Sequence, residues 1–199
     1  SLDLSDGTLA VACQDDDRVM VYANGDTSFA QLPRGSRPFG VAIAGGYAWA
    51  TLQGSGAVAR VSLDNTEDIE ITEIGPDLRG LAVVGDKVLV SRHRSPDSGA
   101  QWWALDTDDL SLQPYSLDLD PGPDSDVGAR GLPNHLQRLA VRPDGRAAAL
   151  AGNKANIQRG LYNEGQAFTH ETTVRSDLRV VSLNRFEGAV GEELLSADF

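Results

Sequence analysis

The sequence predicts an all-β chain, a β-propeller of four-stranded antiparallel blades, and three observations carry that prediction. Hairpin-turn signals recur at near-constant spacing. Asp6-Gly7, Gly45-Gly46 and Gly85-Asp86 lie 39 and then 40 residues apart, and Asp144-Gly145 follows 59 further on, after an insertion. Around each turn the same pattern returns: a short apolar strand, the turn, a second strand, a loop, and a third strand ending near Leu-Asp or Leu-Asn. No long 3.6-residue periodicity competes as helix. Short antiparallel strands repeating about every 40 residues, with turn signals between, are the sequence sign of propeller blades. A β-sandwich is the other all-β solution, but it leaves the spacing unexplained.

The repeats run in order. "DGTLAVACQDDDRVMVY" begins at Asp6, "RPFGVAIAGGYAWATLQGSGAVARVSL" at Arg37 and "LRGLAVVGDKVLVSRHRSPDSGAQWWALD" at Leu78. "LQRLAVRPDGRAAALAGN" begins at Leu136, and its third strand, "LRVVSLN", arrives only at Leu178. Gly and Asp at the turns supply the positive φ or side-chain capping that tight hairpins require. Fourth strands are weaker: "SFAQL", "IEITEI", "LSLQPY" and "VGEELL". The expected blades are residues 1–34, 35–75, 76–115 and 134–199, forming one propeller over 1–199. Residue 1 falls just before a hairpin turn, so the first blade is expected to lack most of its innermost strand. Closed propellers carry about 4–8 blades. The chain therefore reads as part of a larger ring, with the remaining blades supplied by another segment or another copy.

Composition narrows the partners. With 17 Lys+Arg against 29 Asp+Glu the net charge is −12. That opposes a nucleic-acid partner, whose phosphates need a basic patch, and adhesion to an anionic membrane. No apolar run approaches the about 18 residues of a membrane span. The single cysteine, Cys13, excludes an internal disulfide and a multi-cysteine metal site. Its apolar context, "TLAVAC", predicts a buried, inert thiol.

Loop lengths point to a functional face. In an antiparallel meander, the link into the first strand and the second-to-third loop share one face. On that face lie the three insertions: "RHRSPDSGA" (92–100), "SLDLDPGPDSDVGARGLPNH" (116–135) and the long stretch 152–177. Loops on a rigid scaffold are where binding usually resides. Phe39, Arg79 and Arg138 each stand six residues before a hairpin turn. The two arginines suit bidentate capture of a carboxylate or phosphate, and ion pairing with Asp77 or Asp126 is the alternative. His135 precedes the last of these strands, and His93 and His170 lie in the other insertions. Their convergence would suit a divalent metal, whose presence stays unknown from sequence. Asn153, Lys154, Asn156, Arg159, Glu171 and Arg175 make the long insertion densely polar, with Tyr162 and Phe168 as its aromatic residues. "DLDPGPDSD" (118–126) offers oxygen ligands but lacks the spacing and terminal Glu of an EF-hand, so a solvated acidic loop is expected. No G-x-S-x-G, H-E-x-x-H or P-loop is present.

The rhythm of "LAVRPDGRAAALAGN" and "RPFGVAIAGGYAWATLQGSGAVARVSL" resembles the YVTN/YncE-like β-propeller family, although YVTN itself is never spelled; "YAWATLQ" and "AAALAGN" stand in its place. A narrower likeness lies in "PNHLQRLAVRPDG…NKANIQRGLYNEGQAFTHETTVRSDLRVVSLN". It resembles the propeller part of secreted bacterial proteins joined to a cytochrome c peroxidase-like or MauG-like di-haem domain. That resemblance implies a periplasmic or extracellular location and a role in electron transfer. Haem would belong to the associated domain, because C-x-x-C-H is absent here. The function expected is a non-catalytic binding or docking module for a redox or cytochrome domain. A lactonase-type hydrolase, with its site in the central funnel, is the second reading.

Overall fold

The computed structural model describes residues 1–120, 130–156, 174–183 and, as backbone, 193–198. Four antiparallel sheets of four strands account for nearly all of it. The first sheet contains β1 (Leu2–Ser5), β2 (Thr8–Cys13), β3 (Arg18–Ala23) and β4 (Asp26–Gln31). The second contains β5 (Pro38–Ala44), β6 (Tyr47–Leu52), β7 (Ala57–Ser62) and β8 (Ile69–Glu73). The third contains β9 (Leu78–Val84), β10 (Lys87–Arg92), β11 (Ala100–Asp106) and β12 (Leu112–Leu117). The fourth contains β13 (Leu132–Val141), β14 (Ala147–Ala155), β15 (Val174–Ser182) and β16 (Glu193–Asp198). Every sheet keeps its strands in chain order, as a meander does. The only described helix is one 3-10 turn, Gln14–Asp16. The turns use the predicted residues: Asp6 and Gly7 have φ of 47° and 78°, and Gly45 and Gly46 have 61° and 81°.

The structure revises three expectations. The first sheet has four strands; its inner strand is short, four residues against seven in β5 and β9, yet paired from Leu2↔Val11 to Ser5↔Thr8. Cys13 is half-buried rather than buried, because it ends β2 and its neighbour Ala12 takes the inward position. The long insertion is also shorter than 152–177, since β14 and β15 stay in register out to Ala155↔Val174.

The chain divides into two compact units, 1–91 with 103–113 and 92–102 with 114–199. In the first, alternation gives each face of the second sheet its own core. Ala48, Ala50, Ala57, Ala59 and Val61 pack against Ala10, Val19, Val21 and Ala30 of the first sheet. Trp49 and Val58 point the other way, to Leu78, Val88, Val90, Trp103 and Leu105. Small side chains on one face and aromatic ones on the other are what facing sheets need to interdigitate. Polar ties complete the packing. Thr51 Oγ1 accepts the Gly40 N–H at 2.8 Å and donates to the Arg79 carbonyl at 3.1 Å, joining β5 to β9. A Cβ at Gly40 would lie 2.5 Å from that same carbonyl, so only glycine fits there. Gln14 donates to Gln53 and Gln53 to Asp77, at 3.2 and 2.8 Å.

An ionic contact holds the start of the β11–β12 turn. Lys87 Nζ lies 2.5 Å from Asp106 Oδ2, and the Asp108 and Asp109 N–H groups donate to Asp106 Oδ1. Lys87, then these amides, pull the Asp106 carboxyl down to about 2 from its ordinary 3.8. A depressed folded value means stabilisation present above 3.8 and lost as pH falls through about 2. Asp106→Asn is expected to cost on the order of 1–2 kcal/mol at pH 7. In paired urea titrations the gap between variant and parent should shrink as pH falls from 4 toward about 2; a pH-independent gap would refute the ionic origin.

In the second unit Trp102 stacks on Tyr115, centroids 4.3 Å apart, and Leu117, Leu132, Leu136 and Leu150 are fully buried. No described helix is long and apolar enough to cross a membrane.

Candidate functional site

The described parts of all three insertions belong to the second unit and meet at the leading end of β13. Ser95, from the 93–99 loop, donates its N–H to Asn134 Oδ1 (2.9 Å), and its hydroxyl donates to the Pro133 carbonyl (2.7 Å). The Leu136 N–H donates to the His93 carbonyl. Asp120, from the 116–135 link, bridges to Gly131 through both backbone groups and pairs with Lys154 of β14 at 2.8 Å.

At this point β13 departs from a regular ladder. Asn134 pairs with Asn153 and Arg138 with Ala151, so residues 135–137 stand opposite Gly152 alone. The corresponding irregularity in the second sheet sets only residues 39 and 40 against Thr51. A bulge normally adds one residue; here it adds two. His135 takes the left-handed conformation, φ 51°, which starts the excursion, and Asn134 Oδ1 caps its N–H at 2.8 Å. Gly152 makes the excursion possible, since a Cβ there would lie 2.5 Å from the Asn134 carbonyl and 2.9 Å from Leu136 Cδ2. The widened bulge opens a hollow of about 250 Å³ lined by His135, Gln137, Arg138, Ala151, Gly152 and Asn153.

The side chains at the hollow differ in exposure. Arg138 and Gln137 are exposed, while His135 and Asn153 are half-buried. The His135 ring lies against the buried His93 ring, centroids 5.0 Å apart and tilted by 42°. A guanidinium, an imidazole and two carboxamides form a donor-rich set that matches an anionic oxygen group.

The other sequence-predicted residues fall elsewhere. Arg79 is half-buried in the first unit with its guanidinium 4.7 Å over the Phe39 ring, so two equivalent inner-strand positions satisfy one another by a cation–π contact. Asp77 is engaged by Gln53. Lys154 is a buried member of β14, its side chain 2% exposed and paired with Asp120, which fits a structural role. Asn156 and Arg175 are half-buried at the ends of β14 and β15. Arg159, Tyr162, Phe168, His170 and Glu171 lie outside the described residues, as does Asp126. Among the described residues no three His, Cys, Asp or Glu side chains gather as a metal would need. Gln137, Asn134 and Gly152 escaped the sequence reading; the readable signal was the glycine interrupting a strand, which often marks a bulge.

No family model matches the sequence, and no curated protein matches it. Solved structures do. Virginiamycin B lyase from Staphylococcus aureus, crystallised as an inactive H270A form with quinupristin, matches with TM-score 0.57 at 13% identity, over 100% of this chain and 68% of that one. The periplasmic gluconolactonase PpgL of Pseudomonas aeruginosa matches with TM-score 0.62 at 18% identity, over 100% of this chain and 53% of that one. Kuenenia stuttgartiensis hydrazine synthase matches with TM-score 0.55 at 13% identity, over 97% of this chain and 62% of that one. At such identities the likeness is one of fold, and with its four meander sheets the chain has the β-propeller fold.

Proposed function

We propose that the chain is a binding module that docks a partner on the insertion-bearing face of its fourth blade, seating an anionic group of that partner in the β13 hollow. One observation carries the reading: His135, Gln137, Arg138 and Asn153 converge on a single cavity produced by a two-residue bulge. The family resemblance makes the partner a haem-bearing redox domain of the same or another chain, in the periplasm or outside the cell. A carboxylate of that domain, from a side chain or a haem propionate, is the group the donors suit. The net charge of −12 favours steering of a partner with a cationic surface around that carboxylate. Haem does not fit as a covalent group of these residues, since the single thiol sits at the end of β2 without C-x-x-C-H. The test is an NMR titration with succinate. Arg138→Ala should weaken binding at least about tenfold, while Arg142→Ala, whose guanidinium is held by Asp144, should leave it unchanged. Equal binding by Arg138→Ala and the parent would overturn the reading.

The second reading is a lactonase-type hydrolase, favoured by the PpgL fold match and by an imidazole at the rim of a cavity. It requires lactone turnover by the purified chain, lost in His135→Ala, together with a bound divalent metal. Turnover unaffected by that substitution would remove it.

A further inference from the structure

The β13 hollow holds acceptors as well as donors. Arg138 offers donors alone, but the Gln137 and Asn153 carboxamides each carry an acceptor oxygen beside their NH2 group. Two asparagines stand opposite one another in the ladder, Asn134 on β13 and Asn153 on β14. The first is taken up by the fold: its Oδ1 accepts the Ser95 N–H at 2.9 Å and the His135 N–H at 2.8 Å. The second is left for something else. Among the described residues nothing hydrogen-bonds the Asn153 or Gln137 carboxamide, and nothing pairs with the Arg138 guanidinium.

A carboxylate answers only the donors. It has no hydrogen to give, so an anion closing the hollow by itself would cover the half-buried Asn153 and leave its acceptor unmet. Turning the carboxamide over does not help, because either orientation presents one donor arm and one acceptor arm. A covered acceptor without a donor costs more than an ordinary hydrogen bond returns. Gln137 escapes that cost, since it is exposed to water. Space points the same way. The hollow measures about 250 Å³, whereas a carboxylate takes the place of one or two waters, at about 30 Å³ each. The remaining room suits the atoms that carry the carboxylate, and Asn153 calls for a donor among them. We infer that the group seated here is an acidic side chain of a polypeptide, bound together with its own backbone amide: Arg138 and His135 hold the carboxylate, and Asn153 Oδ1 accepts the backbone N–H. This assignment rests on the hollow's being an anion site, and it selects the side chain over the haem propionate, which has no N–H near its carboxylate and would leave Asn153 unmatched.

The test is an NMR titration of the chain with N-acetyl-β-alanine and with 5-oxohexanoate. The two ligands share charge and length. They differ in one group, an N–H against a CH2, at the place where an aspartate carries its backbone N–H. N-acetyl-β-alanine should bind at least about tenfold more tightly, and Asn153→Ala should reduce that preference to below about twofold. Equal affinity of the two ligands for the parent, with both weakened in Arg138→Ala, would overturn the inference and leave the anion hollow standing. That comparison is made on the parent, so it decides the matter even if the position-153 variant fails to fold. A preference that persists in folded Asn153→Ala would also overturn the inference, because the N–H would then be met elsewhere. Binding of neither ligand would overturn it together with the reading of the hollow as an anion site.

Discussion

Trp49→Ala is expected to lower the free energy of unfolding by about 3–5 kcal/mol. Trp49 is 1% exposed at the centre of β6. Its indole packs with Val58 from its own sheet and with Leu78, Val88, Val90, Trp103 and Leu105 from the next. Its ring has further partners: Tyr47 packs against it at 6.2 Å in a T-shaped arrangement, Arg60 lies 5.7 Å over its face, and Nε1 donates to the Ala44 carbonyl at 3.4 Å. Alanine would remove much of the side-chain filling of the boundary between the two sheets, and a β-ladder cannot collapse sideways to refill it. Domains of this size are stable by only about 5–15 kcal/mol, so the loss would consume a large share of the total. Urea titration should show a lower midpoint with an unchanged slope. Trp49→Phe should cost distinctly less, because a ring remains between the sheets. A loss below about 1 kcal/mol for the alanine variant would mean that Trp49 does not fill this boundary.

What the sequence made legible follows from how each signal is generated. A two-residue hairpin forces positive φ, so Asp6-Gly7 and Gly45-Gly46 announce themselves by residue type. Alternation exposes the two-faced second sheet in "YAWATL", where Ala and Trp take opposite sides. The candidate site was harder to read. Its wide bulge depends on which residue of β14 faces which of β13, and register between strands is not written in either strand alone. The mostly polar stretches 153–155 and 174–177 read as loop, yet they extend β14 and β15, because ladder bonds are backbone bonds and Asp120 neutralises Lys154. Arg79 and Phe39 were readable as equivalent positions, but not as partners, since the contact between neighbouring inner strands is tertiary. The short strand "LDLS" lacked the length to display a pattern, although its pairing is regular.

Replacing residues 157–173 by a short Gly-Ser turn is expected to abolish partner docking while leaving the sheets folded. The ends of this segment follow a closed ladder: Ala155 and Val174 are the last register pair of β14 and β15, and paired strands lie about 5 Å apart. A four-residue connection bridges that gap. Shortening a loop changes its closure entropy only slowly, by about 0.6 kcal/mol per halving of length. The fourth sheet retains its Lys154–Asp120 pair, the buried Arg179–Asp177 pair and the register of β13 to β15. The β13 hollow retains its six lining residues, so succinate binding should survive the change. Docking of the whole partner draws on more than the anionic group. The replaced segment carries Arg159, Tyr162, Phe168, His170 and Glu171, a composition suited to a protein contact, where Tyr and Arg are enriched. Its loss should weaken partner binding at least about a hundredfold, equivalent to about 2.8 kcal/mol. Retained succinate affinity with lost partner affinity would separate the hollow from the surrounding surface. If the trimmed protein captured its partner as tightly as the parent, the docking surface would have to lie off this face.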